Sequence, residues 1–370
     1  MYVPVFSPLF FGNFRVQADS IFRYLLKIPK TAGMPGQPGS LPVMVCISAG
    51  RSPSCTITLY YPFSPKPNIM IRESPEDFLA ILKSHAPDPK QPLASVRQDV
   101  SAFYAGMQEE TVMGSDHHLE RVGIRDGLRG IWVSLPDSLT ERVVLFFHGG
   151  CFTSGSSDSH LGLCIRLARA SRARVFSVDY RLAPEHVFPA AVEDAVAAYR
   201  FLIAKGYSPH HIVPVGISAG GTLVLSLLIS ARDQGLPLPP AGVCMSPVTD
   251  MLFSGESVLR NRDRDWISPE QLHAICTTYL PGHDVKDSLA SPVYARLAGL
   301  PRLYVQAGTH ELLVSDIGAF VDKARWAGVP VQAEIWEGMF HCWQLFAEQV
   351  PEGQEAIGQA GAFIEDMLGR

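Results

Sequence analysis

The sequence lacks the features that mark several large classes of protein. Its 370 residues carry a formal net charge of -5, so there is no basic excess to favour nucleic acid or an acidic membrane surface as a partner. It has no run of roughly 18 apolar residues, which argues against a membrane-spanning helix. The apolar N-terminus has no early basic residue, and Pro4 and Pro8 interrupt it, so it is a poor signal peptide.

Cysteine pairs are also lacking. The seven cysteines are odd in number, and no two of them form a C-x-x-C pair, which argues against a disulfide framework and against a zinc site. We interpret them as free thiols of a cytoplasmic protein and expect neither a metal nor an organic cofactor. They are Cys46, Cys55, Cys151, Cys164, Cys244, Cys276 and Cys342.

What is present is the composition of an ordinary globular protein, with 47% hydrophobic and 18% charged residues. The first part of the chain differs from the rest, because it is rich in proline and glycine (TAGMPGQPGSLP at 31–42) and holds only short apolar runs. We interpret residues 1–70 as an N-terminal extension of unknown role, with a strand near 41–48. Residues 71–370 are then the functional domain.

Within that domain, short runs of Val, Ile, Leu and Phe alternate with helical patterns. Such runs are typical of strands buried on both faces, and their alternation with helices predicts a mostly parallel, doubly wound sheet. The runs are RVGI, RGIWVSLP, RVVLFFHGG, ARVFSVDYR, HIVPVGIS, AGVCMSP, RLYVQAG and VQAEIWEG. Two helical stretches lie outside the alternation, at about 72–110 and 251–283, and we expect them to form a cap over the sheet.

Two serines share the letters ISAG, in VCISAG around Ser48 and in VGISAGG around Ser218. A nucleophilic serine of the G-x-S-x-G type sits on a sharp turn between a strand and a helix, and small flanking residues allow that turn. Ser218 meets each requirement, whereas Ser48 lacks the first glycine and is followed by Pro53 where a helix should begin. The sequence therefore predicts Ser218 as the nucleophile.

Two later strands also end in chemically useful residues. RLYVQAG is followed by Glu311, and VQAEIWEG is followed by His341, which gives the chain order Ser, acid, His of α/β-hydrolases. Asp316 is the alternative acid, although a position at the start of a helix accounts for it without any catalytic role. Of the other histidines, we expect His148 to hold its own loop, and we interpret five more as loop residues: His186, His117, His118, His210 and His211.

These motifs together resemble the hormone-sensitive lipase family of α/β-hydrolases, particularly its bacterial esterases. HGGCF, SVDYRLAPEHVFPAAVEDA, GISAGG, SPVTD and EGMFHCWQLF carry the resemblance, which covers roughly residues 72–370. It implies an α/β-hydrolase fold with a helical cap, and Ser218, His341 and Glu311 as the catalytic triad. It also implies an oxyanion hole formed by the backbone N–H groups of Gly149, Gly150 and Ala219.

The sequence departs from the family pattern at three places, in the subfamily signature, the oxyanion loop and the surroundings of the acid. Cys151 replaces the third glycine of HGGG, and Ile217 stands where many members have Asp or Thr. Glu311 lacks the D-P-L context that commonly surrounds the acid. We expect Phe152 and Ile217 to line the substrate pocket.

The resemblance implies a serine carboxylesterase that acts on small esters with short to medium acyl chains. It also points to a homodimer formed through the last strand and the terminal helix. An amidase or formamidase uses the same triad and is the main alternative. A receptor-like, non-catalytic relative is disfavoured because His341 is present, and a purely structural domain does not explain three strand-end motifs in the catalytic order.

Overall fold

The computed structural model describes residues 75–85 and 91–369, together with three short strands nearer the N-terminus. The chain divides into two compact units, Met1–Met70 and Ile71–Arg370. The first unit holds an antiparallel sheet in the order β1-β3-β2, built from β1 (Phe14–Arg15), β2 (Met44–Ser48) and β3 (Thr56–Tyr60). The stretch TAGMPGQPGSLP lies outside the described residues.

Ser48, the serine of the other Ser-Ala-Gly stretch, lies in this first unit. Ser48 is the last residue of β2, and it pairs with Thr56, the first residue of β3. The next described element after Ser48 is therefore a strand that pairs antiparallel with β2. Residues 49–55, which would form a nucleophile turn at Ser48, lie outside the described residues, so the interpretation of Ser48 as an accidental match stays a prediction.

The second unit is built around an eight-stranded sheet. The strand order is β11-β10-β9-β8-β6-β7-β5-β4; strands β6 to β11 pair in parallel, and β5 and β4 pair antiparallel at one edge. The strands are β4 (His118–Arg125), β5 (Leu128–Ser134), β6 (Leu139–Phe147), β7 (Ala173–Asp179), β8 (Ile212–Ile217), β9 (Ala241–Met245), β10 (Arg302–Gly308) and β11 (Val331–Trp336). This is the mostly parallel, doubly wound sheet that the alternation predicts.

Helices cover both faces of this sheet. They are α1 (Pro75–Ser84), α2 (Leu93–Gly106), α3 (Glu109–Met113), α4 (Leu161–Ser171), α5 (Ala190–Ala204), α6 (Ala219–Asp233), α7 (Ser257–Arg260), α8 (Pro269–Tyr279), α9 (Val314–Trp326) and α10 (Pro351–Gly369). Short 3₁₀ turns occur at Pro209–His211, Pro292–Tyr294 and Trp343–Phe346. None of the helices in the described ranges combines the length and hydropathy that crossing a bilayer requires.

The central strands are continuously apolar because each of them packs between two cores. In β6, Val143 and Leu145 face the core beneath α5, α6 and α9, whereas Val144 and Phe146 face the core beneath α4 and α10. All four side chains are fully buried, as are all six residues of β8. Strands with no solvated face show no apolar-polar alternation, which explains why these runs are unbroken hydrophobic stretches.

The two helical stretches predicted as a cap lie beside the carboxyl ends of these strands. Phe78 of α1 contacts the ring of Phe346, in the turn just after His341, with 5.3 Å between ring centroids. Tyr279 at the end of α8 stacks on Phe152 in the loop after β6, with 3.9 Å between centroids. Both stretches therefore contact loops that leave the carboxyl edge of the sheet.

Candidate active site

Ser218 occupies a sharp turn between β8 and α6. Its backbone has φ 55° and ψ -121°, in a region that non-glycine residues rarely adopt. The turn requires glycine on both sides, because a Cβ on Gly216 would lie 2.1 Å from the Gly220 carbonyl oxygen. A Cβ on Gly220 would lie 1.9 Å from the carbonyl oxygen of Phe147 in β6. A strained backbone at Ser218 and close backbone contacts at Gly216 and Gly220 thus fix the serine at the end of β8.

Three residues from three strand ends form one chain of hydrogen bonds. His341 Nε2 lies 2.9 Å from Ser218 Oγ, and His341 Nδ1 lies 3.0 Å from Glu311 Oε2. All three side chains are buried. Asp316, the alternative acid, instead lies in the first turn of α9 beside Gly255, as its position at a helix start predicts.

The second oxygen of the Glu311 carboxylate is fully engaged as well. Oε1 accepts hydrogen bonds from Ser246 Oγ, at 2.8 Å, and from the Gly308 backbone N–H, at 2.7 Å. Ser246 Oγ also accepts from the Cys342 N–H, so one hydroxyl links the loop that carries the acid to the loop that carries the histidine. Ser246 is a functional residue that the sequence did not predict, and its only signal was the SPVTD motif directly after β9.

The loop after β6 supplies backbone N–H groups next to Ser218. Gly150, Cys151 and Phe152 have φ values of 121°, 56° and 59°, which turn this loop sharply. Within the described residues, no hydrogen-bond partner is found for the N–H groups of Gly150 and Ala219. Two of the three groups predicted for the oxyanion hole are therefore available.

The third group differs from the prediction. The Gly149 N–H donates a hydrogen bond to His160 Nε2, at 3.1 Å, and so is already occupied. Burial lowers the pKa of His160 well below its ordinary value, which keeps the ring neutral. Since Nε2 accepts this bond, the ring proton resides on Nδ1, beside Ser159 Oγ at 2.9 Å. His160 thus fixes the loop after β6 through its hydrogen bond with the Gly149 N–H, a role that no sequence motif indicated.

His148 contacts its own loop, as predicted. Its Nδ1 lies 2.8 Å from the Gly149 carbonyl oxygen, and its ring stacks on Tyr180 with 4.2 Å between centroids. Burial lowers the pKa of His148, so this ring is also neutral. Two neutral buried imidazoles therefore flank Gly149 in the described structure.

The two residues predicted to line the pocket have different surroundings. Phe152 is buried in the wall formed with Tyr279, and the Phe188 ring lies edge-on to Tyr279 at 5.8 Å. Ile217 is fully buried in the core beneath α4 and α10, so its side chain points into the sheet packing rather than into an open pocket. An open cleft of about 850 Å³ lies elsewhere, near the amino ends of β6 and β7, and none of the three hydrogen-bonded residues lines it.

The pKa of His341 is raised well above its ordinary value. Burial acts to lower this pKa, but the contacts with Cys342 and with the Glu311 carboxylate act against burial and prevail. Burial also raises the pKa of the Cys342 thiol, and His341 acts against this rise. The imidazolium form of His341 is stabilised accordingly.

Comparison with known proteins agrees with this geometry. Residues 144–345, more than half of the chain, match a family described as an alpha/beta hydrolase fold. An acetyl-hydrolase of Streptomyces hygroscopicus is 41% identical over 239 residues, which span 64% of this chain and 80% of that protein. An esterase of Acinetobacter venetianus is 34% identical over 244 residues, spanning 65% and 80% respectively.

The chain therefore belongs to the α/β-hydrolase family. Its fold also matches the crystal structure of an esterase from the bacterial hormone-sensitive lipase family, with a TM-score of 0.75 and 39% identity. That match covers 81% of this chain and 100% of the other. Within the family the chain falls among these bacterial enzymes, and it is a carboxylic ester hydrolase.

The raised pKa of His341 predicts the pH dependence of hydrolysis. The neutral imidazole is the form that accepts a proton, so activity is lost as the pH falls through the pKa of His341. We expect kcat/KM for a neutral ester, p-nitrophenyl butyrate, to rise with pH through one ionisation whose midpoint lies above the ordinary value of 6.5. In a Glu311→Gln variant this midpoint should fall, because the amide carries no charge. A wild-type midpoint below 6.5 would contradict the assignment.

Proposed function

We propose that the chain hydrolyses carboxylic esters with short to medium acyl chains through an acyl-enzyme formed on Ser218. The observation that carries the proposal is the continuous hydrogen-bond chain from Ser218 Oγ through His341 to Glu311, with separations of 2.9 and 3.0 Å. A serine hydroxyl is a weak nucleophile unless a base removes its proton, and an oriented imidazole is such a base.

In the first half of the reaction, His341 Nε2 accepts the proton of Ser218 as Oγ attacks the ester carbonyl carbon. The negative charge moves to the carbonyl oxygen, and the resulting imidazolium is stabilised by Glu311 through Nδ1–H. The imidazolium then gives its proton to the leaving alkoxide, which departs as an alcohol and leaves the acyl group on Ser218. In the second half, His341 takes a proton from water as the water oxygen attacks the acyl carbon. The imidazolium then returns this proton to Ser218 Oγ as the bond between Oγ and the acyl carbon breaks, which releases the carboxylic acid and restores the free serine.

The developing oxyanion needs donors that are already in place. We assign this role to the N–H groups of Gly150 and Ala219, because neither has another partner in the described structure. Gly149 contributes in a different way, since a Cβ there would lie 3.4 Å from Ser218 Cβ and 3.2 Å from the Ile217 carbonyl oxygen. Its missing side chain allows the loop to approach the serine, and His160 fixes its N–H.

The Ser218→Ala variant tests the nucleophile. Without Oγ no acyl-enzyme forms, so we expect kcat/KM for p-nitrophenyl butyrate to fall by at least about 10⁴-fold. Wild-type protein quenched in acid during turnover should carry one butyryl group on the Ser218 peptide, detected by mass spectrometry. Ser48→Ala is the matched control and should keep the wild-type rate. Hydrolysis by Ser218→Ala at a near wild-type rate would refute the mechanism.

The stacked rings of Phe152 and Tyr279 are the basis of the expected preference for short acyl chains. Phe152, in the loop next to Ser218, and Tyr279 stack in parallel, and we propose that these rings limit the length of the acyl chain. Across p-nitrophenyl esters from acetate to laurate, we expect kcat/KM for laurate to be lower than for butyrate by about tenfold or more. The Tyr279→Ala variant should reduce that difference. Tyr279→Phe should retain it, because the Tyr279 hydroxyl is buried without a hydrogen-bond partner.

Each ester in this series has a matching p-nitroanilide, which addresses the amidase alternative. An amide requires stronger protonation of its leaving group, and both the Acinetobacter venetianus relative and the bacterial hormone-sensitive lipase family structure described above are named esterases. We therefore propose that the ester is the preferred substrate of each pair.

We further propose that two copies of the chain associate through β11. This strand forms one edge of the eight-stranded sheet, and its Ile335 is 49% exposed. Trp326, at the end of the neighbouring helix α9, is 91% exposed. An exposed strand edge beside large apolar side chains is a surface that a second copy would cover by symmetric pairing.

Light scattering during size-exclusion chromatography measures this association. We expect a mass twice that of the 40.5 kDa chain, and the mass of a single chain for Ile335→Glu. Leu259→Glu is the matched control, since Leu259 is also highly exposed but lies on α7 rather than beside β11, and this variant should remain dimeric. A wild-type mass of one chain at micromolar concentration would contradict the proposal.

The cytoplasmic location inferred from the sequence remains part of this proposal. It is supported by Cys164, Cys244 and Cys342, which are free thiols buried in the described structure. Buried unpaired thiols are typical of proteins from a reducing compartment.

A further inference from the structure

A second carboxylate is buried next to the catalytic residues. Asp265, in the stretch between α7 and α8, is fully buried. Its Oδ1 accepts hydrogen bonds from the backbone N–H groups of His341, at 3.0 Å, and Trp266, at 2.8 Å. Its Oδ2 accepts from the N–H of Leu312, at 2.9 Å. One side chain therefore binds the residue that carries the imidazole and the residue directly after Glu311.

Other residues between α7 and α8 also form hydrogen bonds with the loops that carry Glu311 and His341. Trp266 Nε1 donates to the His341 carbonyl oxygen at 2.7 Å. Asn261 Nδ2 donates to the carbonyl oxygens of Thr309 and Glu311, at 2.9 and 2.8 Å. The backbone of the acid loop and that of the histidine loop are thus joined through residues 261–266, and Asp265 is the member that reaches both with its side chain.

We infer that Asp265 is a positioning residue for ester hydrolysis, which fixes the Glu311 and His341 loops relative to each other and favours the imidazolium of His341 by its charge. The inference rests on the proposed roles of Ser218, His341 and Glu311.

The charges around Asp265 support the electrostatic part. The ionisable groups that face it are His341, Glu311 and the Cys342 thiol. Burial raises the pKa of Asp265 to about 6; His341 opposes this rise and Glu311 adds to it. Above that pH two carboxylates flank one imidazole, so transfer of the Ser218 proton to His341 reduces a local excess of negative charge.

The site of Asp265 also explains why a carboxylate stands there rather than an amide. A buried charge without a cationic side chain is costly, and backbone N–H groups offset only part of that cost. The isosteric Asn avoids the charge but turns an amide N–H₂ toward at least one of the three backbone donors. A carboxylate therefore satisfies all three backbone donors and places a negative charge next to His341.

The Asp265→Asn variant is the test, with p-nitrophenyl butyrate as the substrate. We expect kcat to fall by about tenfold or more, the order of effect that follows loss of a partner behind a functional histidine. KM should change by less than about threefold, because Asp265 does not touch the substrate. The midpoint of the acid limb of kcat/KM should move to lower pH, because the imidazolium loses a neighbouring negative charge.

Two variants separate this effect from a general loosening of the fold. Ser257→Ala removes the bond from Ser257 Oγ to the Leu312 carbonyl oxygen, at 2.6 Å, in the same part of the chain and without a change of charge. Its acid-limb midpoint should equal that of wild type. Asp265→Glu keeps the charge but displaces it, so kcat should fall while the midpoint stays close to wild type.

An Asp265→Asn midpoint equal to wild type, or a loss of kcat no larger than that of Ser257→Ala, would overturn the inference. If Asp265→Asn does not fold, Asp265→Glu decides: a midpoint displaced to lower pH in that variant also overturns it. Failure of the proposed function itself would appear separately, as ester hydrolysis retained by Ser218→Ala.

Discussion

The hydrogen bond between His341 Nε2 and Ser218 Oγ joins residues that lie far apart in sequence, and the rest of the site is arranged to maintain it. A 2.9 Å contact between two short side chains requires that both backbones be fixed to a fraction of an ångström. The parallel sheet supplies that precision, because β8, β10 and β11 end at one edge and the loops that follow begin from fixed points. The residues that hold those loops matter for the same reason.

Three polar side chains next to Ser218, His341 and Glu311 hold these loops in position. Ser246 links the acid to the backbone after the histidine, Asp265 binds both loops, and His160 fixes the Gly149 N–H in the oxyanion loop. Each is buried, and each forms a hydrogen bond with the main chain of one of these loops. The catalytic geometry is therefore specified by backbone contacts from side chains that are distant in sequence, a common way to preorganise a site.

The sequence predicted the fold and the three side chains that the structure joins by hydrogen bonds, but not the polar residues that hold their loops. Apolar runs and their alternation predict the sheet because both of its faces are covered, and strand-end motifs locate Ser218, Glu311 and His341. Asp265 and His160 carry no local pattern, and Ser246 has only the SPVTD motif, since a single polar residue that bonds to a distant backbone looks like any loop residue. The prediction for Gly149 erred for the same reason: nothing near it in the sequence reveals that His160 takes its N–H. The prediction for Ile217 erred because alternation along β8 decides which core its side chain enters.

Left-handed backbone conformations are concentrated around the site. Of the non-glycine residues with positive φ, Cys151, Phe152, Ser218, Ser246 and Cys342 lie in the loops that build it. Each such conformation is unfavourable by about 1–3 kcal/mol and persists only where its surroundings enforce it. The two apolar cores on either side of the sheet hold the backbone of these residues in its strained conformation. A core substitution that leaves the protein folded but loosens its packing would thus allow these residues to relax first. Packing in the hydrophobic interior therefore supports both the activity of the site and the resistance of the fold to heat.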